Sequence, residues 1–433
     1  MLGGGAATRP PRLVRMTSPG TEIELQVERI AHGGVSVARH EGRVVFVSDA
    51  IPGERVRARL TETRKKSFWR ADTVEVLTAS EHRRPHVWPA ASVDRDPAVR
   101  AGGAEFGHIA LEHQRELKRR VLVEAMARMA QADVEAGSEH PAAGVTVQAL
   151  PGDDAANGLG WRTRIRMHVA DDGALGPMAA RSHRVVPVDD VPLATPAVQA
   201  ATPFGERFAG VATVDVLAPT VGDPRLIIGE QAPSTIRERV GEREFTLDDG
   251  GFWQVHREAP AALTSAVQRA LVRELIDPRA HNLDLYGGVG LLAAAFADVA
   301  GEQTIVTSVE ADERATDHAA ENLAEWLGAQ AETGRVDRWL RALEQSASAA
   351  ERARLRAASV VLDPPRSGAG RNVMDTLGRL APAQLVYVAC DPVALARDVA
   401  LAAEHGYALS RLEAFDLFPH THHLEAVATL VRA

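Results

Sequence analysis

Cysteine is almost absent from this chain: Cys390 is the single one in 433 residues. One cysteine cannot form an internal disulfide or a thiolate metal cluster, which excludes a secreted disulfide scaffold. Two uses remain for its thiol. It is either a nucleophile or the small buried hydrophobe that a free cysteine most often is.

Long apolar runs are missing too. No segment approaches the roughly 18 apolar residues of a membrane span. The first sixteen residues contain Gly, Pro and Arg but lack the apolar core of a signal peptide. We therefore expect a cytoplasmic protein with no membrane association, in which residues 1–16 form a disordered tail.

Lysine is scarce, with only Lys65, Lys66 and Lys118, so nearly all positive charge comes from arginine. The net charge of −9 argues against nucleic acid as a partner. It does not exclude that partner, because a local basic patch makes the phosphate contacts. The length predicts two or three domains, and we expect a monomer.

Residues 17–80 contain five short segments with the period-two alternation of half-buried strands, separated by Gly and Pro turns. They predict a small β-barrel of the oligonucleotide-binding type. Arg55, Arg57 and Arg59 share one face of the fourth strand, and basic residues follow beside Phe68 and Trp69. Such a surface suits RNA contact, although arginines on the outside of a barrel can also be merely solvated.

The rest of the chain divides into two parts. Residues 81–250 predict a mixed α+β middle domain, with a helix over 111–129 and strands over 162–169 and 181–188. Residues 251–433 alternate strands with helices, the pattern of a doubly wound parallel α/β sheet.

A glycine-rich turn marks a cofactor site in this last domain. A strand ending at Tyr286 runs into Gly287-Gly288-Val289-Gly290 and then a helix, and the next strand ends at Glu310. Glycines allow the backbone to approach a ligand, and the acidic residue suits a ribose. NAD and S-adenosylmethionine sites share this arrangement, so the turn alone does not choose between them.

Reactive side chains follow three other strands of the same domain. Asp363 closes a buried strand before two prolines, Cys390 ends the next strand, and Glu425 begins the last. The carboxyl ends of parallel strands would place Asp363 and Cys390 at one sheet edge, where ligands bind. A metal site at His420, His422 and His423 is disfavoured, because two of them are adjacent and no carboxylate has ligand spacing.

The motifs DLYGGVGLL, VVLDPPRSG, YVACDPVALARD and FPHTHHLEAVATL, in this order, resemble the RNA uracil-5-methyltransferase family. The N-terminal module resembles the TRAM domain of that family, and residues 251–256 resemble a motif that precedes its catalytic core. The resemblance implies a class I, Rossmann-like methyltransferase domain. It also implies S-adenosylmethionine as cofactor and a uridine of tRNA or rRNA as substrate.

The resemblance also assigns roles. Cys390 would add to C6 of uracil, which makes C5 nucleophilic, and Glu425 would remove the C5 proton afterwards. Asp363 and Gln254 match positions that hold the base or the cofactor. Tyr286, Gly288, Gly290 and Glu310 would form the cofactor site, with Glu310 on the ribose.

Departures from the family pattern are specific. Its Cys-Gly-Gly-Cys run reads Ala101-Gly102-Gly103-Ala104, so we expect no iron–sulfur cluster. The usual Ser-Cys-Asn-Pro reads Ala389-Cys390-Asp391-Pro392, the following Thr is Ala394, and Gly287 and Leu291 replace a Cys and an Asn. Two alternatives stay open: an NAD-dependent dehydrogenase, and an RNA-binding protein that has lost turnover.

Overall fold

The structure is a computed structural model that describes residues 18–135, 137–180 and 182–432. The predicted tail, residues 1–16, lies outside the described residues. The described chain forms two compact units, residues 18–29 with 35–81 and residues 30–34 with 82–432. The segment 30–34 therefore belongs to the second unit. No helix in the described part of the chain has both the length and the apolar character needed to cross a bilayer.

The first unit is the predicted barrel. Its strands are β1 (Glu22–Ala31), β2 (Val35–His40), β3 (Arg43–Ser48), β4 (Arg55–Glu62) and β5 (Phe68–Thr78). They close in the order β1-β2-β3-β5-β4. The alternating apolar residues point inward, and Leu25, Val45, Val56, Leu60 and Trp69 are among those that form its core.

The basic residues of β4 share the outer face as predicted, because Val56, Ala58 and Leu60 between them are buried. Several already have carboxylate partners on the barrel: Arg57 lies 2.5 Å from Glu75 and Arg59 lies 3.2 Å from Glu22. Binding of RNA phosphates by these side chains would have to replace those ion pairs.

The second unit begins with a long helix and a small sheet. These elements are α1 (Leu111–Met129), β6 (Val147–Gln148), β7 (Arg164–Val169), β8 (Leu175–Gly176), α2 (Pro196–Ala201), β9 (Thr213–Leu217) and β10 (Arg225–Ile228). Helix α1 has the predicted bounds. The sheet has the order β10-β9-β7-β8 and packs around Trp161. A hairpin follows, β11 (Thr235–Val240) with β12 (Arg243–Asp248).

The strand predicted over residues 181–188 is wrong. The described residues of that segment pair with residues 175–179 through one bridge, Met178 with Val185, and further backbone hydrogen bonds, but they form no regular strand. Pro177 accepts from the amide of Val186 and has no amide to donate in return, so the pairing stays irregular. Val186 is buried in the core around Trp161, and Val188 packs against it.

The remaining residues build the large sheet. Its strands and helices are α3 (Ala259–Ala270), β13 (Asn282–Leu285), α4 (Leu291–Ala300), β14 (Ile305–Glu310), α5 (Glu313–Asn322), β15 (Gly328–Thr333), α6 (Val336–Ser346), α7 (Ala349–Arg356), β16 (Ser359–Leu362), α8 (Gly370–Leu380), β17 (Gln384–Ala389), α9 (Pro392–Ala403), β18 (Tyr407–Phe415) and β19 (Glu425–Arg432). The order is β15-β14-β13-β16-β17-β19-β18-β6.

This sheet confirms the predicted α/β fold. Strands β13 to β17 run parallel, and β13, β16 and β17 are buried throughout between two cores, one against α3 and α4 and one against α8 and α9. Strand β19 is antiparallel to β17. Its first residue therefore lies at the carboxyl edge of its parallel neighbours.

Candidate active site

Strand register brings the predicted side chains together. Leu285 pairs with Leu362, so Tyr286 and Asp363 are the next residues on adjacent strands. Ala389 pairs with Ala426 in antiparallel register, so Cys390 and Glu425 are neighbours. A cavity of about 980 Å³ opens at this edge. Its wall includes the predicted residues Gln254, Tyr286, Gly288, Glu310, Asp363, Cys390 and Glu425.

Cys390 sits between a strand and a helix. The Asp391 carboxylate accepts hydrogen bonds from the amides of Val393, at 3.0 Å, and Ala394, at 2.8 Å, and caps α9. The helix therefore begins at Pro392. Burial, together with the negative charges of Glu425 and Asp363, raises the pKa of the thiol to about 12. The free protein thus holds a protonated thiol at neutral pH.

The carboxyl groups at the site also favour their neutral forms. Glu425 is 4% exposed, and burial, with the charge of Asp363, raises its pKa well above the usual value. Burial and the charge of Asp284 raise the pKa of Asp363 to about 7. Neither side chain has a hydrogen-bond partner within the described ranges. Both are therefore available to a ligand.

Asp284 was not predicted from the sequence. It lies within β13 beneath the glycine turn, is 1% exposed, and accepts a 2.9 Å hydrogen bond from Ser308. Burial raises its pKa to about 7. Its Oδ1 is buried and has no hydrogen-bond partner among the described residues. An acidic residue inside an otherwise apolar strand was the signal that could have identified it.

Gly287 explains one departure from the family pattern. A Cβ at this position would lie 2.0 Å from Ser308 Oγ and 2.6 Å from Asp284 Oδ2. The cysteine usual in the family would therefore collide with the Ser308–Asp284 hydrogen bond. The absence of a side chain at Gly287 thus leaves room for the hydrogen bond between Ser308 and Asp284.

The glycine turn has the form of a nucleoside site. Tyr286 has φ +62°, a left-handed conformation that is strained for a tyrosine and typical of functional sites. The amide of Gly288 donates to Glu310 Oε2 at 3.1 Å, and a Cβ at Gly288 would meet nothing within 4 Å. The space above this turn is open to a ligand. Gly290 does not line the cavity; it has φ +90° and begins α4.

Two arginines and an aromatic ring also line the cavity and were not singled out from the sequence. Arg162 lies close enough to Arg366 for their charges to interact. Arg366 also acts on the Cys390 thiol, lowering its pKa against the larger effect of burial. Phe252, at the cavity wall, is 75% exposed. These groups form a positive and aromatic part of a wall that also carries carboxylates such as Glu105 and Asp248, and that part suits RNA.

The three clustered histidines have different surroundings. His420 is 1% exposed and is held by Gln114, at 3.0 Å, and by the carbonyl of Asn157, at 2.7 Å. The rings of His422 and His423 lie 4.0 Å apart. Burial lowers the pKa of His423 to about 3, so it is neutral. Within the described residues, no group of three His, Cys, Asp or Glu is arranged to hold a metal ion.

The segment that replaces the cysteine motif packs as ordinary core. Ala101 and Ala104 are buried beside Trp88 and Ala179. The Arg100 guanidinium donates to the carbonyls of Arg95, at 2.9 Å, and Val93, at 2.8 Å. The side chains at the two motif positions are methyl groups and offer no ligand atom.

Comparison with known proteins identifies the family. Residues 339–433 match the family model "tRNA (Uracil-5-)-methyltransferase", and residues 17–68 match the TRAM domain. A protein of Streptomyces avermitilis described as an uncharacterized RNA methyltransferase is 36% identical, over 95% of this chain and 98% of its own length. The 23S rRNA (uracil(1939)-C(5))-methyltransferase RlmD of Shewanella sp. (strain MR-4) is 29% identical, over 93% of this chain and 94% of its own length.

A solved structure shows the same fold. It is the Pyrococcus abyssi tRNA (uracil-54, C5)-methyltransferase in complex with S-adenosyl-L-homocysteine, with a TM-score of 0.64 and 20% identity. The match covers 94% of this chain and 99% of that one. These relatives exclude the dehydrogenase alternative. The chain belongs to the RNA (uracil-5-)-methyltransferase family and is an S-adenosylmethionine-dependent enzyme.

Proposed function

We propose that this enzyme methylates C5 of a uridine in structured RNA through a covalent bond between Cys390 and C6 of the base. The observation that carries the proposal is the meeting of Cys390, Asp363 and Glu425 in one cavity with Glu310 and the glycine turn. C5 of uracil is a weak nucleophile. It becomes reactive when a sulfur adds to C6 and turns the ring into an enolate.

Asp363 is suited to start the reaction. With a pKa of about 7 it is partly ionised at neutral pH, whereas the thiol is not. As the sulfur of Cys390 bonds to C6, the thiol proton passes to the Asp363 carboxylate. The resulting carboxylic acid can then donate a hydrogen bond to the oxygen on which the enolate charge develops.

Glu425 is suited to remove the C5 proton in the last step of the reaction. Once C5 carries the methyl group, its proton must leave before the C6–sulfur bond can break. A carboxylate with a raised pKa binds that proton more strongly than an ordinary one. Transfer of the C5 proton to Glu425 returns the electron pair to the ring, restores the C5–C6 double bond and releases Cys390 as a thiolate.

The cofactor site fits the same picture. S-adenosylmethionine supplies an electrophilic methyl group on its sulfonium sulfur. Tyr286, Gly288 and Glu310 would hold its nucleoside part, and Gln254 and Asp363 would line the methyl-transfer side. The open space over Gly288 leaves room for such a ligand.

The RNA substrate belongs to the tRNA or rRNA class. A uridine in a stem must leave the base stack to reach Cys390. The positive and aromatic wall formed by Arg162, Arg366 and Phe252 is suited to the extruded nucleotide. The enzyme would act as a monomer on cytoplasmic RNA.

The test uses bulk tRNA and rRNA in which uracil is replaced by 5-fluorouracil. Fluorine cannot leave as the C5 proton does, so wild-type protein with S-adenosylmethionine should accumulate an RNA adduct, visible by mass spectrometry at Cys390. Unmodified RNA should gain 5-methyluridine. The Cys390→Ala protein should give neither product while still binding cofactor. Methylation by Cys390→Ser would overturn the covalent mechanism, and RNA binding without any methylation would favour a non-enzymatic protein.

A further inference from the structure

A second cavity adjoins the active site at the nucleophile. It has a volume of about 210 Å³. Cys390, Arg366 and His423 line both this cavity and the larger one. The two cavities therefore meet at these three side chains.

The walls of the second cavity suit a flat, uncharged group. Leu117 and Val121 of α1 lie on one side, and Pro392, Leu424 and Phe106 contribute further apolar surface. Its volume is below the roughly 300 Å³ at which cofactor-sized pockets begin. It is large enough for one nucleobase and too small for a second molecule of a nucleoside cofactor.

Segment 30–34 closes this cavity. A Cβ at Gly34 would lie 2.6 Å from His422 Cβ, so the segment packs directly on that residue. The imidazole of His32 lies 2.7 Å from Asp391 Oδ2, and this hydrogen bond raises its pKa. The Asp391 carboxylate thus favours the protonated form of His32 and holds segment 30–34 against the start of α9.

Arg366 stands at the junction without a carboxylate of its own. Its side chain is exposed and has no hydrogen bond or ion pair within the part of the chain that the structure describes. An arginine with free donors facing two adjoining cavities suits a phosphate that links two nucleotides.

We propose that the second cavity receives the base of the nucleotide next to the target uridine, while Arg366 binds the phosphate between the two. The inference rests on the proposed function, because it places a second base beside a uracil held at Cys390. RNA is read by such splayed bases rather than inside its narrow major groove. Here the second base would contribute to the choice of site.

The experiment uses a synthetic RNA hairpin that carries the uridine methylated by the wild-type enzyme. The base on its 5′ or 3′ side is removed to leave an abasic nucleotide. Removal on one side should lower kcat/KM by about tenfold, the order expected for a lost base–protein stacking contact. Removal on the other side should change it little.

Val121→Phe fills the cavity and Glu112→Phe, on the exposed side of α1, is the matched control. Val121→Phe should methylate the intact and the abasic hairpin at the same reduced rate, with unchanged affinity for S-adenosylmethionine. Glu112→Phe should keep the wild-type preference. If Val121→Phe misfolds, Arg366→Ala serves instead. A neutral methylphosphonate placed between the two nucleotides should slow methylation by the wild-type enzyme, and it should not slow methylation by Arg366→Ala any further.

The outcomes separate the two proposals. If the wild-type enzyme methylates RNA but tolerates abasic nucleotides on both sides, the second cavity does not bind a base and the inference is wrong. If base removal lowers the kcat/KM of Val121→Phe as much as that of the wild-type enzyme, the base binds outside the second cavity and the inference is wrong. If the wild type methylates no tRNA or rRNA, the proposed function fails, and the inference fails with it.

Discussion

The properties of single residues determine when this site can react. Glu425 is the residue whose ionisation the mechanism requires, and its burial, with the charge of Asp363, raises its pKa and disfavours the ionised form. A base works only when deprotonated. The release step should therefore become faster as pH rises through this raised pKa, rather than through the ordinary glutamate value of about 4.3.

Glu425→Gln removes this base and tests its role. We expect normal cofactor binding and normal formation of the Cys390 adduct, followed by accumulation of methylated adduct on ordinary uridine RNA. The loss in turnover should be on the order of 10²- to 10⁴-fold, as for other general bases. Single-turnover kinetics with mass spectrometry measures it, and Glu302→Gln, in the exposed loop between α4 and β14, is the control. Full turnover by Glu425→Gln would exclude this role.

Gly287 offers a second test at the same scale. Gly287→Ala places a Cβ 2.0 Å from Ser308 Oγ, and overpacking of this kind costs about 1–3 kcal/mol. We expect lower stability in urea denaturation and weaker cofactor binding. Adding Ser308→Ala should recover part of the loss, since it removes the nearer contact but leaves Asp284 at 2.6 Å. An additive double variant would show that the two positions are independent.

Secondary-structure elements determine which side chains meet. The barrel strands and α1 were predictable because alternating and helical spacing fix their buried faces. The strand at 181–188 was not, because three valines in an irregular core segment have the same composition as a strand. Strand ends alone place Asp363 and Cys390 at one edge, whereas Glu425 joins them because β19 is antiparallel to β17, which the sequence pattern does not show. Asp284 was missed, since a buried acid within a strand has no partner in the local sequence.

The start of α9 is a testable element because it also holds the nucleophile. Asp391→Ala removes a cap that accepts two amides and should cost about 1 kcal/mol in urea denaturation. The His32 pKa should fall toward its ordinary value, which NMR titration can follow. Asp391→Asn, the residue usual in the family, should keep the cap and the stability. Equal losses of stability in Asp391→Ala and Asp391→Asn would show that the charge of Asp391, rather than its capping hydrogen bonds, stabilises the protein.

At the scale of the whole molecule, distant segments assemble what sequence cannot show. The second cavity is lined by residues 30–34, by α1 and by the residues just before β19, which are hundreds of positions apart. No local pattern predicts their meeting. Strand alternation placed the arginines of β4 on one face, but it could not show their partners. In the structure Arg57 pairs with Glu75, and Arg59 pairs with Glu22.

Net charge gives the last prediction. At −9 the molecule as a whole repels RNA, so binding must come from a few local phosphate contacts. The dissociation constant for RNA should rise with salt, each contact adding about 0.9 to the log–log slope for duplex and about 0.7 for single strands. Arg366→Ala should reduce this slope by about one contact, whereas Arg120→Ala, exposed and paired with Glu116, should not. Affinity for S-adenosylmethionine should stay nearly constant over the same range. If fluorescence titrations show the same slope for Arg366→Ala as for the wild-type protein, Arg366 does not contact an RNA phosphate.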